Sequence, residues 1–241
     1  MLDVTVPSNR LEFAPGLSLQ GVTPPLRLAD YRLIAFDMDS TLIDIECIDE
    51  IADVAGRGTE VAAITEAAMR GEIADFRESL QRRLALLQGV PVSALERVYR
   101  HRLRLHPGAT DLIAAVKAAG LKVLLVSGGF TYFTDRLKPR LGIDFARANE
   151  LGIADGRLTG TVLGEIVDAH GKAEMLRETC RRIGCIPEQA IAMGDGANDL
   201  EMMKAAGLSV AYRAKPRVRA AAHVAIDTGG LDRLLELFEA A

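Results

Sequence analysis

A chain of 241 residues can bury the core of one large domain, or of a domain carrying an insertion. Apolar residues make up 49% and charged residues 26%, the net charge is −4 and Trp is absent. This is an ordinary globular composition, and it argues against a phosphate-backbone binder or a stacking platform for single strands.

No basic-then-apolar leader opens the chain and no apolar run approaches membrane-spanning length, so the expected location is the cytoplasm. Cys47, Cys180 and Cys185 form no C-x-x-C pair and read as reduced thiols. His101, His106, His170 and His223 show no zinc spacing.

Residues 1–30 hold Pro7, Pro15, Pro24 and Pro25 and read as an appended arm with one short strand. Arg32–Asp37 is an apolar run ending in acid, the pattern of a buried parallel strand that delivers chemistry at its carboxyl end. Residues 45–105 then show helical spacing and almost no strand signal, as in Ile48, Ile51, Ala52 and Ala55, or Phe76, Leu80, Leu84 and Leu87. They are expected to form a helical cap inserted into a core of residues 31–44 and 106–241.

Beyond the cap, strand runs at 121–127 and 189–195, with weaker ones at 208–211 and 223–226, alternate with helical patterns. Those helices, at 109–119, 130–141, 171–183 and 198–206, each end before a glycine: Gly120, Gly142, Gly184 and Gly207. Leu151–Val167, with Asp155-Gly156 as its turn, reads as a hairpin. The fold class is therefore α/β, a doubly wound Rossmann-like parallel sheet with its site at the strand carboxyl ends.

Asp37 and Asp39 are two apart, so they face one side if the strand continues past Asp37. Two carboxylates at one site repel. A cation relieves this, and Mg²⁺ with its oxygen preference suits the pair. A neutralised carboxylate can attack phosphorus, while the second protonates a poor alkoxide leaving group and then activates water. Alone, D-x-D is equally a loop or a helix cap. Three other strand ends add weight.

Ser127-Gly128-Gly129 offers a hydroxyl and close-approach amides to phosphate oxygens. Lys172 opens the helix before the third strand, with a charge that could neutralise phosphate and steady Asp37. Gly194-Asp195-Gly196-Ala197-Asn198-Asp199 brings two acids and an amide to a strand end. Asp195, first after the strand, is the better metal ligand; Asp199 could orient a ligand or water, and Asn198 could donate to substrate.

The ordered set Asp37-x-Asp39-x-Thr41, Ser127, Lys172 and Gly194-Asp195-Gly196-x-Asn198-Asp199 resembles the haloacid-dehalogenase (HAD) superfamily across residues 31–240. Glu46-Cys47-Ile48-Asp49-Glu50-Ile51-Ala52 and Val126-Ser127-Gly128-Gly129-Phe130 are similar to its phosphoserine phosphatases. The resemblance implies hydrolysis of O-phospho-L-serine, the last step of serine biosynthesis, with Asp37 as nucleophile and Asp39 as general acid/base. It implies Mg²⁺ on Asp37, Asp195 and the backbone carbonyl of Asp39. Ser127, Gly128 and Lys172 would hold phosphate, Asn198 would touch substrate, and a mobile cap would close over the site.

A substrate with an ammonium and a carboxylate needs an anion and a forked cation at the cap. Glu46 resembles the family's ammonium-binding glutamate. Arg82 and Arg83 compete for the carboxylate, and Phe76-x-x-Ser79-Leu80-x-x-Arg83 resembles the family's pattern around its carboxylate-binding arginine, which implies Arg83. Met69 and Phe76 suit the pocket lining and suit a core role equally.

The arm is shorter than the regulatory domains some relatives carry, so feedback through such a domain is not expected. A small-molecule substrate is the expected partner, with no nucleic acid and no membrane. Rival readings are a phosphorelay receiver domain, a phosphatase or phosphotransferase for another small phosphomonoester, and a non-catalytic phosphate binder.

Overall fold

A computed structural model describes residues 10–69, 72, 73 and 75–239; the side chain of Met69, expected at the pocket, lies outside that description. Strands β1 (Leu11–Ala14), β2 (Leu17–Leu19), β3 (Leu33–Phe36), β4 (Lys122–Phe130), β5 (Phe145–Ala154), β6 (Arg157–Leu163), β7 (Ala190–Gly194), β8 (Leu208–Tyr212) and β9 (Val224–Ile226) form one sheet. Its order is β1-β2-β9-β8-β7-β3-β4-β5-β6. The six strands from β9 to β5 run parallel; at one edge β2 pairs antiparallel with β9 and β1 antiparallel with β2, and at the other β6 pairs antiparallel with β5.

The arm thus supplies two strands rather than one. They extend the sheet through Leu17–Leu19 against β9, where Leu17 and Leu19 are buried.

β3 is buried on both faces, and its side chains alternate between two cores. Ile34 and Phe36 pack with Leu112, Ile113 and Val116 of α5 (Ala109–Ala118) and with Phe133 and Leu137 of α6 (Thr131–Leu141). Leu33 and Ala35 face Leu176 of α7 (Ala169–Ile183), Met202 and Met203 of α8 (Leu200–Ala205) and Val218 of α9 (Pro216–Ala221).

Gly142 and Gly184 close α6 and α7 in the left-handed conformation. Gly207 differs from the expected helix stop. A Cβ there would lie 1.9 Å from the Glu188 carbonyl oxygen, so glycine serves close chain approach. The expected 198–206 helix opens as a 3₁₀ turn over Ala197–Asp199 before α8.

Among the described residues, four α-helices lie between β3 and α5: α1 (Cys47–Val54), α2 (Gly58–Met69), α3 (Phe76–Leu86) and α4 (Ser93–His101). Ile48, Ile51 and Ala52 of α1 and Leu80 and Leu84 of α3 bury the stripes that their spacing promised. β5 begins at Phe145, ahead of the expected hairpin, because Phe145–Arg147 pairs in parallel with β4 before the chain turns at Asp155-Gly156.

Candidate active site

Parallel register sets the stage. Phe36 pairs with Leu125 on one side and with Met193 on the other, so Asp37, Val126-Ser127 and Gly194-Asp195 emerge abreast at one sheet edge. Behind them Asp168 caps α7, its side chain accepting from Gly171 N, and the first turn of that helix carries Lys172 inward.

Lys172 is fully buried, and its Nζ donates to Asp37 Oδ1 at 2.6 Å and to Asp199 Oδ1 at 2.7 Å. Desolvation works to lower its pKa, but Asp199 and then Asp37 more than offset this, so the ammonium is held above its usual range. Asp37 is driven well up, first by burial and then by Asp199, with Lys172 opposing. Burial and Asp199 lift Asp195 to about 6.

Asp199 was expected to orient a ligand or water. Instead its Oδ2 accepts from the amides of Asp195 and Gly196, and its Oδ1 takes Lys172. Gly194 must be glycine for this, since a Cβ would lie 2.4 Å from the Asp199 carboxylate. Thr41 Oγ1 donates to Asp195 Oδ1 at 3.1 Å.

Asp39 sits on the turn over Met38–Leu42, next to Ser40 with φ +55°. Its Oδ1 accepts from Cys47 N at 3.1 Å, and a Cβ on Gly129 would fall 2.5 Å from its Oδ2. Desolvation first, then Glu46, raises Asp39 to about 7.

Carboxylate oxygens of Asp37, Asp195 and Asp199 lie within 4.8 Å of one another. Lys172 pairs with two of these three carboxylates, and the donors are oxygen alone. That set fits a hard divalent cation. Asp39 brings its side chain to Gly129 and Cys47 rather than to this cluster.

Ser127 is buried, and its Oγ accepts from Gly129 N at 2.8 Å. Asn198 lies beside Gly196, where a Cβ would stand 2.5 Å from its Oδ1. Glu46 holds the N-cap position of α1 without capping it; Oε1 takes the Ser40 hydroxyl at 2.8 Å. Arg82 is exposed and paired with Glu78. Arg83 is half-buried, with Nε 3.4 Å from Ser79 O. Asp49 feels the charges of both Arg83 and Glu46: burial pushes it up, Arg83 pulls it back and Glu46 adds to the rise. Its Oδ1 is buried without a hydrogen-bond partner.

Asn149 escaped sequence reasoning. It is buried on β5, where Nδ2 donates to Gly128 O at 2.7 Å and Oδ1 accepts from Val167 N at 2.8 Å. One amide thus braces the Ser127–Gly129 loop against the approach to α7. The polar stretch Ala146-Arg147-Ala148-Asn149-Glu150 carries no local signal for it.

A family model described as haloacid dehalogenase-like hydrolase matches residues 31–207. The chain belongs to the haloacid dehalogenase-like hydrolases. This hydrolase is 65% identical over 230 residues to a phosphoserine phosphatase of Polaromonas sp., covering 94% of this chain and 98% of the relative. The phosphoserine phosphatase of Haemophilus influenzae is 47% identical over 238 residues, 99% of this chain and 72% of that one.

Among solved structures, a phospho-aspartyl intermediate analogue of phosphoserine phosphatase matches at TM-score 0.81 and 40% identity, covering 87% of this chain and 99% of its own. A probable phosphoserine phosphatase from Vibrio cholerae matches at 0.77 and 48%, covering 87% and 64%. Among the described residues, no helix is long and apolar enough to cross a membrane.

Proposed function

We propose that this hydrolase converts O-phospho-L-serine and water to L-serine and phosphate, ending serine biosynthesis. The observation that carries the reading is the buried Lys172 clamp on Asp37, with Asp39 two residues on and packed against Gly129. The identity to phosphoserine phosphatases over most of the chain supports the choice of substrate.

Asp37 attacks phosphorus, the bond to the serine oxygen breaks, and Asp39 donates its proton to that oxygen. A carboxyl with a pKa near 7 suits both this donation and the following step, in which Asp39 takes a proton from the water that attacks the aspartyl-phosphate. Ser127, the Gly128 amide and Lys172 hold the phosphoryl oxygens, and Asn198 contacts the substrate.

Mg²⁺ is the proposed cofactor, on Asp37, Asp195 and the Asp39 backbone carbonyl; it would offset charge on the transferring phosphoryl group. Asp199 is left out because its two oxygens already hold Lys172 and two amides.

Glu46 receives the substrate ammonium and Arg83 its carboxylate. We divide the chain functionally into core (31–44 and 106–241) and cap (45–105), and the three free cysteines support a reducing, cytoplasmic setting.

The test is a panel of phosphomonoesters with Mg²⁺, comparing wild type, Asp37→Asn and Arg83→Ala. Asp37→Asn should abolish turnover of every substrate. Arg83→Ala should weaken phosphoserine by about 2–5 kcal/mol while sparing phosphoethanolamine, which lacks the carboxylate. Equal loss on both removes the role given to Arg83.

A further inference from the structure

Cap and core touch at both ends of α3. Its carboxyl end is clipped by backbone bonds to the β5–β6 hairpin: Gly89 N donates to Leu158 O and Leu158 N to Val90 O, both at 2.8 Å, and Val92 N donates to Gly156 O at 3.0 Å. Arg157 Nη1 adds a bond to Gly89 O. The amino end is held differently. Arg77 Nε and Nη2 both reach Asp168 Oδ2, at 2.7 and 2.6 Å.

We propose that Arg77 is a positioning residue for catalysis: its ion pair with Asp168 seats the first turn of α3 on the phosphate cradle and on the turn that carries Lys172. Asp168 is a fixed anchor, since Oδ1 caps Gly171 and its carbonyl accepts from Lys172 N at 2.9 Å. Phe76, next to Arg77, rests over the cradle, where a Cβ on Gly128 would stand 3.0 Å from its ring.

The helix of 11 residues is then a lever of about 16 Å, pinned at the hairpin and latched at Arg77. Side-chain exposures of 49% and 20% make the latch weak and salt-sensitive, whereas the backbone clip is not screened in the same way. A site that must admit substrate and release product needs one end of its cover to part readily. When the assembled state is only partly populated, apparent affinity falls by that fraction.

The catalytic arm of the test rests on the phosphoserine reading; the exchange arm does not. Arg77→Met, Asp168→Asn (which keeps the cap on Gly171), the double variant and Arg77→Lys are compared with wild type. Amide hydrogen exchange over residues 76–80 is followed without substrate. KM and kcat for phosphoserine are measured at about 0.05 M and about 0.5 M KCl.

Each charge-removing single variant should speed exchange and raise KM about three- to fivefold, with kcat little changed and melting within about 2 °C of wild type. The double should be no worse than either single, lysine should restore most of the effect, and high salt should raise KM more in wild type and Arg77→Lys than in the charge-removing variants. Unchanged exchange in both singles, effects that multiply in the double, or failure of lysine to restore would each overturn the latch. A wild type that leaves phosphoserine intact sinks the substrate reading, and exchange then decides the latch by itself.

Discussion

Replacing Lys172 by Met tests how charge is balanced beneath the nucleophile. Met fills much of the same volume, but it strands Asp37 and Asp199, both buried and both bonded to Nζ. Breaking a buried pair by removing one partner costs about 3–5 kcal/mol. Asp37 can answer by taking up a proton, because burial and Asp199 already hold its pKa well up, so the lower half of that range is expected. For a chain of this size each kcal/mol moves the melting temperature by about 2–4 °C, which gives a fall of about 6–16 °C in EDTA. Calorimetry reads it directly. Asp199→Asn removes the second stranded charge, so the double variant should melt well above the sum of the two single losses. Excess Mg²⁺ should recover part of the loss by binding the folded state. A Lys172→Met protein melting within about 2 °C of wild type, or additive losses in the double, would refute the clamp.

Asp39→Asn should lower phosphoserine turnover about 10²- to 10⁴-fold. With p-nitrophenyl phosphate, whose leaving group needs no proton, it should give a stoichiometric burst; parallel loss without a burst would remove Asp39 as the acid. Asn149→Ala leaves the Gly128 carbonyl and the Val167 amide buried and unpaired, so denaturant melts should show a loss of about 2–4 kcal/mol. Inhibition by inorganic phosphate should weaken with it. His223, whose Nδ1 accepts from Ser209 N, has its pKa lowered by burial and then by Arg10. Its contribution is full above the unfolded pKa of about 6.5 and is lost as pH falls through the lower folded value. The melting gap between wild type and His223→Gln should therefore narrow from pH about 7 to about 5, and a constant gap would exclude this linkage.

Much of the core was legible because its signals are local. The Leu33–Phe36 run and its acidic end, the helical stripes of α1 and α3, and the glycines after α6 and α7 each follow from spacing or backbone chemistry within a few residues. Asp37, Ser127 and Asp195 could be named because each closes or follows such an element, and Lys172 because it opens one. Glu46 and Arg83 came from resemblance alone.

Order after the strand puts Asp195 on the metal and Asp199 on a ligand or water, but it carries no sign of the bond from Lys172 to Asp199. Only the fold turns Asp199 toward Lys172 and the two amides, leaving Asp195 toward Thr41 and the cluster. Leu17-Ser18-Leu19 is too short to announce a strand, and becomes one because β9 offers an unpaired edge. Asn149 and Arg77 read as ordinary polar residues until sheet order and cap docking bring them to Gly128 and Asp168. The sequence by itself determined the strand-and-helix alternation and the residue types that handle phosphate, since periodicity and turn chemistry are short-ranged. The contact of Lys172 with Asp37, 135 residues away, was decided by the tertiary structure. It depends on which strands lie side by side, and that is settled by burial over the whole sheet rather than by any one segment.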